Sequence, residues 1–292
     1  MATMNLPLVV GVDGSDSSLR AVDWAVDEAA LHTLPLRLIY AARWERYEEG
    51  LASYPGCPSG AVVAEHIVAS CVERARRVSP AVRISGEVLS DGPVSALLQE
   101  GHGAFALVTG SRGWSELAET LLGSVSLAVA ARAVCPVIVV RGPEQDRHGA
   151  GRPVVVGVGH LGQDAAAVRF AYREARARGV ELHAVRAWRR PAHARTGRPL
   201  LEAAHLLYEE QAATVLDEVL GQVPCDDGQT VCRREVVEGP AHRVLLAASA
   251  AAGLLVVGAL RPPGDFGLQL GRVSHAVLHH ADCPVAVVPR RV

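Results

Sequence analysis

Two loops of this chain are near-copies of one another, and they hold the residues best suited to chemistry. In the first, Gly110-Ser111-Arg112-Gly113 is followed by nine residues and then by Gly123-Ser124-Val125-Ser126. In the second, 148 positions later, Gly258 leads to Gly271-Arg272-Val273-Ser274. Glycines let backbone N–H groups approach phosphate oxygens closely, because no Cβ stands in the way. A helix opening at Ser124 adds free N–H groups and a positive dipole end. The Ser124 and Ser126 hydroxyls are further donors to the same oxygens. The bland alternative is a helix cap after an ordinary loop; the spacing favours an anion site.

Asp13 is the second chemical element. It follows an apolar run within Val10-Gly11-Val12-Asp13-Gly14-Ser15. An acid at the carboxyl end of a parallel strand points into the crevice where such sheets bind ligands. There it can accept hydrogen bonds from a ribose or hold a magnesium ion. Ser15 or Asp16 is better placed than Asp13 to cap the helix that follows.

Three other patterns lead nowhere comparable. Gly157-x-Gly159-x-x-Gly162 fits the dinucleotide fingerprint, which expects an acid closing the next strand. Glu181 lies early in that strand, and Val185–Trp188 at its end contains no acid. His275, His279 and His280 have helical metal-ligand spacing but no identifiable third partner elsewhere, so a solvated or dipole-facing cluster is the preferred reading. No Gly-Lys-Ser/Thr sequence exists for a Walker-type nucleotide hydrolase, and no residue set is spaced as a nucleophile with its base.

The elements that must position these residues repeat twice. Leu8–Asp13 and Val154–Gly159 read as buried strands, followed by helices over Ser17–Leu31 and Asp164–Arg178. Second strands, Leu36–Trp44 and Val180–Trp188, end near tryptophans. Longer amphipathic helices follow, with Val63, Ile67, Cys71, Ala75 and Val78 on one stripe and Leu201, Tyr208, Ala212, Val215 and Val219 on the other. Third strands, Val82–Leu89 and Val231–Val237, run into Asp91-Gly92-Pro93 and Glu238-Gly239-Pro240. Fourth strands, Ala106–Gly110 and Leu254–Gly258, enter the glycine loops. Helices and fifth strands beginning Cys135-Pro136 and Cys283-Pro284 complete each half. Strand–helix alternation at these lengths predicts βαβ units, and so an α/β fold with two open, doubly wound, five-stranded parallel sheets. The expected domains are 1–142 and 153–292, joined by a linker at 143–152.

These motifs resemble the universal stress protein family in its tandem form, over nearly all of both halves. The signature G-x2-G-x9-G-[ST] is met by Gly110, Gly113, Gly123 and Ser124. The VGVDGS opening, the Asp-Gly-Pro turn and the Cys-Pro-Val-x-Val-Val end support it. The resemblance implies strand order 3-2-1-4-5, as in adenine nucleotide alpha hydrolases, with ATP at the switch point and pairing through the last strand. By that likeness, phosphates would lie on Gly110, Arg112, Gly113, Gly123, Ser124, Val125 and Ser126. Asp13 would serve the ribose or a Mg2+ carried by ATP, Gly11 and Val12 would line the pocket, and the Ala41 backbone would meet adenine. The acid common before the fourth strand is absent here, with Phe105 in its place.

The second half departs further. Gly159 stands for the aspartate, Arg261 for the second glycine and Arg272 for the serine. Either that site is vestigial, or its arginines receive a different anion. The vestigial reading is preferred, because nothing in the sequence compensates for the missing acid. The family role would be a nucleotide-dependent sensor or regulatory module in the stress response, with an unknown protein partner. Two alternatives remain open: a slow ATPase or nucleotidyl-transferring enzyme in which Arg112 steadies charge on the γ-phosphate, and an interaction scaffold without nucleotide.

Composition bounds the rest. The 292 residues carry 29 Lys and Arg against 31 Asp and Glu, so no basic footprint exists for nucleic acid or anionic membranes. Hydrophobic residues make up 49% and aromatics 4%, which suits cores of Val, Leu and Ala. Six cysteines lack a CxxC pair. Cys135 and Cys283 read as small buried thiols, and Cys225 and Cys232 could pair across a turn, though a reduced state is expected. Met1–Ser18 has no basic region or cleavage site of a signal peptide, so a cytoplasmic location is expected. Val244–Leu260 is uncharged, but Gly253 divides it into a helix and a strand, so no membrane span is expected. A homodimer, or an internal pseudo-dimer of the halves, is the expected assembly.

Overall fold

A computed structural model describes residues 6–42, 60–113, 122–142, 151–159, 164–190, 198–223, 230–259 and 270–290. The expected linker falls almost wholly outside them, as do Trp44, Gly162, Cys225 and Arg261. The chain divides into two units, Met1–Arg141 and Gly142–Val292.

In the first unit the strands are β1 (Leu8–Gly11), β2 (Leu36–Ala41), β3 (Ile84–Leu89), β4 (Ala106–Gly110) and β5 (Val137–Val140). They stand in the order β3-β2-β1-β4-β5, and every neighbouring pair is parallel. Helices α1 (Asp16–His32), α2 (Gly60–Val78), α3 (Pro93–Glu100) and α4 (Ser124–Arg132) connect them. Leu8, Val9 and Val10 of β1 and Ala106, Leu107 and Val108 of β4 are fully buried. Such continuous apolar runs are what a strand covered on both faces requires. Because the chain runs outward from β1 to β3 and then returns to β4, the switch point lies beyond the carboxyl ends of β1 and β4.

The second unit repeats this plan. Strands β6 (Val154–Gly157), β7 (Leu182–Trp188), β8 (Cys232–Glu238), β9 (Leu254–Gly258) and β10 (Val285–Val288) form the parallel order β8-β7-β6-β9-β10. Their helices are α5 (Ala165–Arg178), α6 (Arg198–Gly221), α7 (Ala241–Ser249) and α8 (Arg272–His280). The uncharged stretch from Val244 divides as expected into the end of α7 and strand β9. Among the described residues no helix is long and apolar enough to cross a membrane.

Local chemistry fixes the ends of the helices that carry the site. Ser15 caps α1, its hydroxyl accepting from the Ser18 N–H at 3.3 Å, and Thr33 closes the helix at φ 55°. Gly179 closes α5 at φ 63°. On α2 the buried stripe is Ala64, Val68, Cys71 and Ala75, while Val63 and Val78 are exposed. The expected stripe holds at Cys71 and Ala75, and before them it shifts by one residue, Ala64 and Val68 standing in for Val63 and Ile67. The cause lies on β3, where a Cβ at Gly86 would overlap the Val68 side chain. A glycine in mid-strand admits the close approach of Val68 and draws that residue into the core. On α6 the buried positions are Ala212, Leu216, Val219 and Leu220, so Leu216 takes the place expected for Val215.

Candidate functional site

A cleft of about 360 Å³ opens at the switch point of the first unit. That is within the roughly 300–1,000 Å³ usual for small-molecule sites. Its lining includes Gly11, Val12, Asp13, Ala41, Gly110, Arg112, Gly113, Gly123, Ser124, Val125 and Ser126. All eleven residues singled out in the sequence therefore meet around one space.

Asp13 is held in place before any ligand arrives. Its Oδ1 accepts from the Ser15 N–H at 2.9 Å and from the Ser15 hydroxyl at 2.5 Å. Its Oδ2 faces the glycine loop: a Cβ added at Gly113 would lie 2.7 Å from it. Ser15 therefore caps the helix and orients the acid together.

The loop residues divide their work. A Cβ on Gly110 would lie 2.6 Å from the Ser17 carbonyl oxygen, so this glycine is required by the approach of α1 to β4. At Gly123 the nearest atom to an added Cβ is Arg112 Cα at 3.5 Å, an ordinary contact, and the Gly123 N–H donates to the Ser111 carbonyl at 2.8 Å. The Arg112 N–H donates to the Ser17 hydroxyl at 3.1 Å. At α4 the first helical bond runs from the Leu127 N–H to the Gly123 carbonyl at 3.0 Å. The amides of Ser124, Val125 and Ser126 lie ahead of that bond, and Gly123 offers no side-chain cap. Such amides are ready donors for an anion.

One expected donor is already committed. The buried Ser126 hydroxyl donates its hydrogen to the Gly110 carbonyl at 2.7 Å. It ties the start of α4 to the end of β4, leaving the backbone N–H as the donor Ser126 can offer to an anion. Ser274 makes the same bond to Gly258 at 3.3 Å.

Sequence reasoning missed Ser18, Ile39, Tyr40, Pro93, Leu97 and Thr109, which also line the cleft. Thr109 is the most informative. It is 2% exposed, and its Oγ1 has no hydrogen-bond partner. A buried hydroxyl without a partner carries a desolvation cost that a ligand's polar atom would relieve. The signal was available, because the repeat places Val257 at the matching position.

The second unit is built differently at the matching place. Asp164, at the start of α5, accepts from the Gly159 N–H through Oδ2 at 2.7 Å. Its Oδ1 lies 2.5 Å from where a Gly258 Cβ would stand. An acid therefore does return to the region vacated by the lost aspartate, against expectation, but it arrives from the helix and binds strand-end backbone. Arg186, which the repeat aligns with Tyr40, lays its guanidinium against the carbonyls of Val158 and Gly159. Burial pulls the Arg186 guanidinium down from its ordinary pKa, and Asp164 pushes it back up. Arg186 and Asp164 thus engage the strand-end backbone of this crevice, and neither was read from the sequence as a site residue. Arg272 stands exposed at the first turn of α8.

The histidine cluster takes neither expected form cleanly. His275 and His279 stack with centroids 4.4 Å apart, and His279 is buried while His280 is exposed. His279 and His280 do lie in the last turn of α8, where the helix dipole favours positive charge.

Comparison with known proteins agrees with this architecture. The model of the universal stress protein family matches residues 4–141 and again 151–289. The universal stress protein Rv2005c of Mycobacterium tuberculosis H37Rv is 33% identical over 298 residues, covering 96% of each chain. A universal stress protein of Mycolicibacterium smegmatis is 30% identical over 294 residues, covering 97% of each. The crystal structure of a universal stress protein from Archaeoglobus fulgidus superposes with a TM-score of 0.63 at 17% identity, covering 98% of this chain and 99% of that one. The chain belongs to the universal stress protein family and carries two of its domains in tandem.

Proposed function

We propose that the first unit binds ATP and that the chain works as a nucleotide-dependent sensor or regulatory module in the stress response. The observation that carries this reading is the convergence of Asp13, the uncapped α4 amides and the unpartnered Thr109 hydroxyl on one cleft. Phosphates rest on the amides of Gly113, Ser124, Val125 and Ser126, beside the backbone of Gly110 and Arg112 and the glycine opening at Gly123. Asp13, fixed through Ser15, receives the ribose hydroxyls or a Mg2+ brought by the phosphates. Gly11, Val12, Ile39 and Leu97 give the base an apolar wall, and the Ala41 backbone meets its edge. Bound Mg2+ would supply charge neutralisation for the phosphates. The protein acts in the cytoplasm, as a homodimer or as an internal pair of its halves, and passes its nucleotide state to a protein partner.

Titration calorimetry with ATP on the full chain tests this, alongside turnover measured for the wild type and Arg112→Ala. Tight binding with negligible turnover supports the module. Sustained turnover lost in Arg112→Ala would make the chain a slow ATPase, and indifference to ATP would make it a scaffold.

A further inference from the structure

We infer that the second unit carries an anion site of its own, suited to a small di- or polyphosphate such as pyrophosphate. A cleft of about 640 Å³ lies beyond the carboxyl end of β7, lined by Trp188, Arg189, Gly239, His242, Arg272 and Val273 among others. Among the described residues its lining contains two arginines and a histidine, and no aspartate or glutamate. Arg189 and Arg272 are both exposed, and neither forms an ion pair with another described residue. Their neighbours differ: Arg190 pairs with Glu238 at 2.8 Å, Arg233 with Glu235 at 3.4 Å and Arg234 with Asp217 at 2.8 Å.

The nearest acid along the chain is already engaged. Glu238, beside Gly239, receives Arg190 through Oε1 and lies 3.5 Å from His205 through Oε2. Arg272 also occupies the first position of α8, ahead of the helical bond from the His275 N–H to the Gly271 carbonyl. A cation there opposes the helix dipole, unless an anion stands between them. Two guanidinium groups that line one cleft, with no ion-pair partner and no acid among its described residues, suit phosphate oxygens.

The surroundings of the cleft are held in place from the other side as well. Arg186, at the position matching the cleft-lining Tyr40, is bonded to the carbonyls of Val158 and Gly159. Trp188 is buried and rests against His205 at a centroid distance of 4.9 Å, giving the cleft a fixed wall.

The test is calorimetric titration of the full chain with inorganic pyrophosphate, with and without saturating ATP, in the wild type, Arg189→Ser and Arg272→Ser. The expected result is one pyrophosphate per chain that persists under saturating ATP and weakens at least tenfold in each variant. Both arginines are exposed, so circular dichroism and Tm should match the wild type and leave the loss attributable to the site. Pyrophosphate fully displaced by ATP, binding unchanged in both variants, or no binding at all would overturn the proposal. The arginine variants decide it whether or not the first unit takes ATP.

Discussion

The Asp13 carboxylate spends one oxygen on Ser15 and turns the other toward Gly113. Its neighbours around the cleft are likewise chosen for different reasons, which substitutions separate. Gly110→Ala places a methyl against the Ser17 backbone, where no rotamer change relieves it. The expected loss is about 1–3 kcal/mol of stability, read by chemical denaturation, as for overpacking elsewhere. Gly123→Ala has room for its methyl and a φ of −62°, so it should unfold at the wild-type midpoint. Thr109→Val should leave Tm unchanged or raised, since it removes an unpartnered buried hydroxyl. The same change should weaken ATP by about three- to tenfold, the equivalent of one ordinary hydrogen bond. Calorimetry beside thermal melts checks both halves of that statement. At this scale the sequence was legible where small residues and acids fall at fixed spacing, as with Asp13 and Gly113. It was not legible where a hydroxyl had two available uses. Nothing in the spacing of Ser126 tells that its hydrogen goes to Gly110 and not to a ligand.

Between elements, α1 is joined to α2 by a two-pronged ion pair, Arg74 Nε to Asp23 Oδ1 at 2.6 Å and Nη2 to Oδ2 at 2.7 Å. This contact holds the helix whose first turn supports Asp13. Asp23→Asn should cost about 1–2 kcal/mol, less than a fully buried pair because the arginine is partly in water. Urea denaturation of the variant and of Arg74→Met would measure it. Cys71 on α2 gives a pH dependence. Burial raises its thiol above the ordinary value of 9.0, with Arg74 pulling the other way. A raised value means the folded chain holds this proton more tightly than the unfolded chain. The contribution is therefore complete below pH 9 and is lost as the pH climbs through the folded value. Denaturation midpoints taken from pH 8 upward should fall less steeply in Cys71→Ala, and the wild-type thiol should resist alkylation until the chain unfolds. Element order was readable because strand and helix periods alternate, and β4 and β9 begin and end where the apolar runs do. The first half of the α2 face was not, since Val63 and Ala64 both fit a stripe through Cys71 and Ala75, and Gly86 in a distant strand favours Val68.

Across the whole molecule, duplication supplied two switch points, and the copies have since taken different chemistry. The comparison of halves located the lost aspartate and the changed serine directly from sequence. It did not foresee the contacts of Arg186 and Asp164, which act through backbone partners that only folding brings near. Removing the Arg186 side chain should not create a nucleotide site: with Gly159 and Val257 in the places of Asp13 and Thr109, Arg186→Ala should bind no additional ATP. The central claim is that nucleotide binding belongs to the first unit alone. Its most direct measurement is the number of ATP molecules bound per chain in wild type, Asp13→Ala and Arg186→Ala. One molecule in the wild type, at least tenfold weaker in Asp13→Ala and unchanged in number in Arg186→Ala, is the predicted result. Two equivalent molecules in the wild type, or one that survives Asp13→Ala undiminished, would contradict it.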